Sequence, residues 1–112
     1  MKKMEIIIPH RRLGDVSEIL RDANTGGMSH YRIAGRGKVK AEPVAVARGT
    51  ARYTPQFIPR TKVEVIVKDD QVETLIDRLT DRLGDALGGK VFVTDVPVAV
   101  DLSTKKRGES AI

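Results

Sequence analysis

No cysteine occurs in the 112 residues, which excludes disulfide bonds and thiolate metal sites. Tryptophan is also missing, and the aromatics come to two tyrosines and two phenylalanines. That leaves few platforms on which the bases of a single strand could stack. The two histidines, His10 and His30, stand apart from any nearby acid, which argues against an imidazole-based metal cluster. Uninterrupted apolar runs stay short: Ile6-Ile7-Ile8 ends at Pro9, and Val96 to Val100 is broken by Pro97. Neither approaches the roughly 20 residues that cross a bilayer or the apolar stretch of a secretory signal. The expectation is a cytoplasmic protein.

What the chain does have is charge. Hydrophobic residues make up 40% and charged ones 31%, the balance of one compact globular domain over residues 1–112. The formal net charge is +5, and a cationic surface attracts nucleic acid, phosphorylated metabolites or an acidic partner. The cations do not form a helix face of the kind that binds a duplex; they gather between Gly35 and Arg60. That segment holds Arg36, Lys38, Lys40, Arg48, Arg52 and Arg60 against a single acid, Glu42. It is also a weakly patterned connection of about two dozen residues, long for so small a chain. Long loops held by a rigid scaffold carry ligand and partner contacts. A local anion site is expected, and no nucleic acid partner.

Around this segment the pattern is that of a scaffold. Met4–Ile8 is an apolar run closed by Pro9 and reads as a buried strand. From Leu13 to Ala23, Val16, Ile19, Leu20 and Ala23 recur at helical spacing, and Asn24 with Gly26-Gly27 stops the helix. Met28–Ala34 predicts a second strand, with Met28, His30, Arg32 and Ala34 on one side and Ser29, Tyr31 and Ile33 on the other. Thr61–Val67 alternates most cleanly: Val63, Val65 and Val67 face one way, Lys62, Glu64 and Ile66 the other. Asp70, with Glu73 three residues on, predicts a capped helix that buries Val72, Leu75, Ile76, Leu79 and Leu83. Lys90–Val96 predicts the last strand, and the polar residues 103–112 a tail.

Strand–helix–strand therefore occurs twice, with a Gly-Gly pair between helix and second strand each time. Two such units predict an α+β fold, the ferredoxin-like double βαβ: a four-stranded antiparallel sheet with both helices on one face. Ile66 lies opposite the valines of its strand, so both sheet faces carry apolar side chains. The face without helices is expected to be covered by another subunit.

Two turns rich in glycine and lysine carry the candidate chemistry: Gly35-Arg36-Gly37-Lys38 and Gly84-Asp85-Ala86-Leu87-Gly88-Gly89-Lys90. Glycine lets the backbone approach a ligand or take positive φ, successive N–H groups can form an anion nest, and the cations hold phosphate. The second turn is no Walker A loop, since a helix precedes it and a strand follows. The plain alternative at both is an ordinary glycine turn. The carboxylates offer no catalytic pair. Asp69, Asp70 and Glu73 read as helix-start acids, and Asp77, Asp81 and Asp85 as a solvated face interleaved with Arg78 and Arg82. Glu64 is different, because it sits centrally in a valine-rich strand and needs a donor: a ribose or base amine of a ligand, or Lys62 or Arg60. No serine has an arranged base, and the chain is not expected to be an enzyme.

Several of these pieces recur in one family. Met1-Lys2-Lys3-Met4-Glu5, Gly26-Gly27-Met28-Ser29, Gly35-Arg36-Gly37, Arg48-Gly49, Tyr53, Phe57-Ile58-Pro59-Arg60, Val63-Glu64-Val65, Gly89-Lys90-Val91-Phe92-Val93, Asp95-Val96 and Arg107-Gly108-Glu109-Ser110-Ala111-Ile112 together resemble the PII signal-transduction proteins, trimeric regulators of nitrogen and carbon metabolism. The match covers almost the full length. It implies a homotrimer of ferredoxin-like subunits that binds an adenine nucleotide (ADP, AMP or ATP) in the clefts between them. A long exposed T-loop, here about 38–56, would control a target protein, whether transporter, enzyme or regulator. A transporter partner would bring the protein to the membrane surface. By this resemblance Gly27, Met28 and Ser29 would hold the base, with Gly35 and Gly37. Lys38, with Arg36 beside it, would meet the phosphates, and Arg60 would lie at the base of the loop. Glu64 would be the glutamate of the cleft. Gly88, Gly89 and Lys90 would end the phosphate loop that Gly84 begins.

The departures shape the expectation further. Val39 stands where the family has a glutamine that binds 2-oxoglutarate, and valine has no atom to ligate a bridging Mg²⁺. Asp85 replaces a phosphate-loop lysine and opposes phosphate charge. Asp101 and Ser103 replace two arginines that hold phosphates, with Lys105, Lys106 and Arg107 close by. The T-loop is two residues longer, and the surroundings of Tyr53 differ from those of the tyrosine that some members uridylylate. The expected protein is a divergent PII-like sensor that takes AMP or ADP as readily as ATP, without sensing 2-oxoglutarate through Mg²⁺. The alternatives are a carbon-metabolism relative that responds to bicarbonate with AMP or ADP, and a ligand-free structural trimer that binds partners. CutA-like metal-tolerance proteins share the fold, but two scattered histidines do not argue for copper.

Overall fold

The computed structural model describes residues 1–38, 44–46, 51–53, 56–84 and 88–112, with the backbone alone for 44–46 and 51–53. Val39, Asp85 and much of the expected T-loop lie outside the described residues. The elements are β1 (Lys2–Ile8), α1 (Leu13–Asp22), β2 (Met28–Gly35), β3 (Val44–Val46), β4 (Ala51–Tyr53), β5 (Ile58–Val67), α2 (Val72–Leu83) and β6 (Lys90–Asp95). Four of the strands form one antiparallel sheet in the order β2-β5-β1-β6, and both helices pack on one face of it. This is the ferredoxin-like double βαβ that the patterning predicts.

Period-two alternation decides which side chains meet the helices. Met4, Ile6 and Ile8 of β1 and Val63, Val65 and Val67 of β5 are all buried. They pack against Val16, Ile19 and Leu20 of α1 and Val72, Leu75 and Leu79 of α2. Full burial of each such side chain contributes about 1.5–3 kcal/mol. The two most apolar strands take the central places, and β2 and β6 take the edges. Thr61, fully buried, is satisfied at 2.8 Å by the Nδ1 of His10.

Differences from the sequence reading have local causes. β5 begins three residues before Thr61 and includes Pro59, because β1 ends opposite Thr61. Residues 58–60 then pair only with β2, and a proline is tolerated where one edge of a strand is open. β3 and β4 form a separate two-stranded ladder, Val44 opposite Tyr53; strands of three residues are too short to show a period. The expected cap from Asp70 and Glu73 does not form. A 3-10 turn over Asp69–Gln71 precedes α2 and carries Asp70 past the cap position. Gln71 works there instead: its Oε1 accepts from the Lys68 N–H at 3.1 Å, and its Nε2 donates to the Ala23 carbonyl at 3.2 Å. Arg82, expected on a solvated face, reaches across to α1, where it bonds Asp15 at 3.1 Å and Glu18 at 2.9 Å.

The polar C-terminal residues fold back. The Asp101 carboxylate accepts the N–H groups of Ser103 and Thr104 at 2.8 and 3.0 Å, and Val100 bridges Arg107. A 3-10 turn, Gly108–Ala111, then sets Ile112 against Gly26, where a Cβ would stand 3.1 Å from the Ile112 carbonyl carbon. Backbone groups and the Asp101 carboxylate make the fold-back over residues 99–108, so a polar composition concealed it. Among the described residues no helix is long and apolar enough to cross a membrane.

Three aspartates tie this fold to acidity. Hydrogen bonding from Arg12, and then from Arg82, holds the Asp15 carboxyl below its ordinary value of 3.8. The N-terminal ammonium does the same for Asp69, and the Thr104 and Ser103 amides for Asp101. A carboxyl whose folded pKa is lowered stabilises the fold fully above its unfolded value and loses that contribution as pH falls through the folded one. The urea midpoint should therefore drop as the solution is acidified below pH 3.8, and Asp15→Asn should make the drop shallower. An unchanged acid limb in that variant would refute the assignment.

Candidate functional site

The sheet topology brings the two glycine turns together. β2 runs out, and β6 starts, at the same end of the sheet: Gly35 pairs with Ile58, and Lys90 with Ile7. Between them β2 and β5 overrun the end of β1, which leaves a depression of about 320 Å³ on the face away from the helices. Gly35-Arg36-Gly37-Lys38 forms one wall and Gly88-Gly89-Lys90 the other. Arg60 lies between, and Ile7, Ile33 and Phe92 supply apolar surface. The volume is at the lower end of the range for small-molecule sites. Arg36, Lys38, Arg60 and Lys90 line it, and no carboxylate does among the described residues. Like charges gathered without a counter-ion favour an anion.

Backbone requirements fix the second wall. Gly88 has φ of 66°, a left-handed conformation that glycine takes without strain. At Gly89 a Cβ would stand 2.8 Å from the carbonyl oxygen of Ile7, so the turn sits flush against β1. Gly84 (φ 74°) ends α2, with its N–H donated to the Thr80 carbonyl at 3.1 Å. Gly89 and Lys90 also wall an apolar cavity of about 210 Å³ on the helix side, with Ile6, Ile8, Leu79 and Leu83.

The remaining predicted residues lie elsewhere. Gly27, Met28 and Ser29 are at the opposite end of β2, and Glu64 sits across from Ser29 on β5. Seven strand steps separate Met28 from Gly35, about 23 Å at 3.3 Å per step. One chain thus carries two groups: Gly35, Arg36, Gly37, Lys38, Arg60, Gly88, Gly89 and Lys90 at one end, and Gly27, Met28, Ser29 and Glu64 at the other. Glu64 lies nearer the first group than the others do: four strand steps on β5, about 13 Å, separate it from Arg60.

Glu64 has partners that sequence reasoning missed. Its Oε1 accepts from the Tyr31 hydroxyl at 2.9 Å and lies 3.7 Å from Lys3 Nζ. Lys62, one of the two partners the sequence offered, turns to Glu5 at 3.8 Å instead. Lys3 also meets Glu5, at 3.2 Å, and Glu5 first and Glu64 second raise the pKa of its ammonium. The open face of the sheet is therefore charged at its centre as well as apolar at Ile7, Ile33 and Phe92. The signal was the diagonal from Tyr31 to Glu64, which is visible only once Tyr31 is known to pair with Lys62. Asp101 is occupied in its own turn, while Lys105, Lys106 and Arg107 are exposed beside it. Among the described residues no group of three or more metal-ligating side chains is assembled.

Comparison with known proteins gives a consistent result. The family model for "Nitrogen regulatory protein P-II" matches residues 1–106. The chain is 36% identical to the "Nitrogen regulatory protein P-II" of Cereibacter sphaeroides and 37% identical to that of Pasteurella multocida. It is 35% identical to the "Nitrogen regulatory protein P-II 1" of Escherichia coli strain K12. Each alignment covers 100% of this chain and 100% of the relative.

Proposed function

Because this chain belongs to the P-II family of nitrogen regulatory proteins, which are non-catalytic signal-transduction regulators, we propose that it senses an adenine nucleotide held between the subunits of a homotrimer. The observation that carries this reading is the meeting of both glycine turns and four cations in one depression. The length of β2 between Met28 and Gly35, about 23 Å, supports the inter-subunit cleft. The phosphate-side group of one copy and the base-side group of the next would share one ligand. Phe92 and Tyr31, 49% and 44% exposed on the open sheet face, would be covered in such an assembly. Nucleotide occupancy would then set how the T-loop meets a target protein.

Calorimetric titration with AMP, ADP and ATP tests the reading, each with and without Mg²⁺ and 2-oxoglutarate or bicarbonate. All three nucleotides should release heat, with little gain from the third phosphate and none from 2-oxoglutarate. At a hundredfold excess over Kd the nucleotide should stabilise the protein by about 2.7 kcal/mol, a clear rise in Tm. Binding that strengthens with bicarbonate would assign the protein to carbon metabolism. Absence of heat and of any thermal shift would leave a partner-binding assembly without a nucleotide. A monomer at equilibrium sedimentation would remove the cleft itself.

A further inference from the structure

We propose that Tyr31 is a positioning residue that presents Glu64 to the base of the bound nucleotide, and so sets a preference for a purine bearing an exocyclic amine. The inference rests on the nucleotide reading and assigns a new residue within it.

The strand register places Glu64 directly opposite Glu5 on β1 and Ser29 on β2. Like charges facing each other across two strands repel, so each carboxylate needs its own compensation. Glu5 has two cations, Lys3 at 3.2 Å and Lys62 at 3.8 Å. Among the described residues Glu64 has one cation, Lys3 at 3.7 Å. Its one short contact among those residues is the 2.9 Å hydrogen bond from the Tyr31 hydroxyl. That hydroxyl is itself held in place, since Tyr31 pairs with Lys62 across the strands and the Lys62 ammonium lies 5.7 Å from its ring centroid, within cation–π range.

Both contacts use the same oxygen. Tyr31 and Lys3 engage Oε1, and no hydrogen bond or ion pair among the described residues uses Oε2. An ionised carboxylate only accepts hydrogen bonds, so an oxygen left open beside Ser29 suits an N–H donor. The amine of adenine supplies one. A carbonyl in the same place would set oxygen against oxygen, and a polar mismatch of this kind is rejected far more strongly than a mismatch of size. Without the tyrosine hydroxyl, Glu64 would answer only to Lys3 and to repulsion from Glu5, and Oε2 would lose its fixed aim.

The test compares AMP with inosine monophosphate, in which the amine is replaced by a carbonyl, by calorimetry on the wild-type assembly, Tyr31→Phe and Glu64→Gln. Tyr31→Phe keeps the ring under Lys62 and removes only the hydroxyl. The wild type should favour AMP, and Tyr31→Phe should cut that preference about tenfold while its unbound Tm stays near that of the wild type. Glu64→Gln, whose amide both donates and accepts, should nearly abolish the preference. A tyrosine that merely braced the sheet would weaken both ligands in proportion and leave their ratio unchanged. That outcome, or equal binding of the two nucleotides by the wild type, overturns the proposal and leaves nucleotide binding intact. If the wild type binds neither, the nucleotide reading falls and this inference with it.

Discussion

Replacing Gly89 by valine should cost the protein its anion site together with about 1–3 kcal/mol of stability, the usual penalty for forcing atoms into a packed position. The obstacle is backbone. A Cβ on residue 89 would meet the Ile7 carbonyl oxygen at 2.8 Å and the Ile8 Cγ2 at 3.6 Å. A side chain can rotate out of such a contact, but a carbonyl within a strand cannot. Relief requires β6 to lift away from β1 at its first pair, Lys90 with Ile7. That movement carries Lys90 and Phe92 away from Arg60 and opens the apolar cavity behind them, since Gly89 walls both spaces. A lower urea midpoint and at least a tenfold weaker AMP titration should appear together in the same variant. Gly37→Ala is the control, because no atom lies within 4 Å of the added Cβ, and its midpoint should stay at the wild-type value. A Gly89→Val protein with normal midpoint and normal affinity would show that the turn does not depend on the close approach to Ile7.

Much of this fold was legible because it depends on periods. Val63, Val65 and Val67 alternate, and Val72, Leu75 and Leu79 repeat at helical spacing; both stripes point into the same core. The Gly88-Gly89 turn was legible as a candidate for the same reason that it folds as it does: few other residues fit a φ of 66° or the close approach to the Ile7 carbonyl. What the sequence concealed depends on register between distant strands. Nothing in the order of residues says that Tyr31 reaches Glu64, that Lys62 prefers Glu5, or that β2 separates the candidate residues into two groups at its two ends. The Asp70 reading failed for a more local reason, since a 3-10 turn moved the helix start by two residues and gave the work to Gln71. The fold-back of residues 99–108 was hidden because backbone pairing in a polar segment leaves no hydrophobic trace.

Reversing charge within the depression should have the largest effect on affinity. Lys90 and Arg60 lie on different strands yet line the same space, so neither is expected to replace the other. A hydrogen bond to a charged group contributes about 1.5–3 kcal/mol, and losing one such contact corresponds to roughly 10- to 100-fold in Kd. Lys90→Glu or Arg60→Glu goes further, because it adds repulsion of about 4 kcal/mol for unit charges 4 Å apart at an effective dielectric of 20. Either variant should take AMP binding beyond calorimetric detection. The fold should not suffer, since Lys90 is exposed, Arg60 is half-buried, and neither forms an ion pair among the described residues. Relief of repulsion among four neighbouring cations works in the fold's favour. Adenosine, which has no phosphate, separates the electrostatic cause from a collapse of the site: its affinity, however weak, should be similar in wild type and variants. Ionic strength supplies a second check, because screening over a Debye length of about 8 Å at physiological salt should weaken wild-type AMP binding as salt rises. If Lys90→Glu bound AMP as the wild type does, the phosphates would have to lie elsewhere. The cations beside the Asp101 turn, Lys105 to Arg107, would then be the next place to reverse.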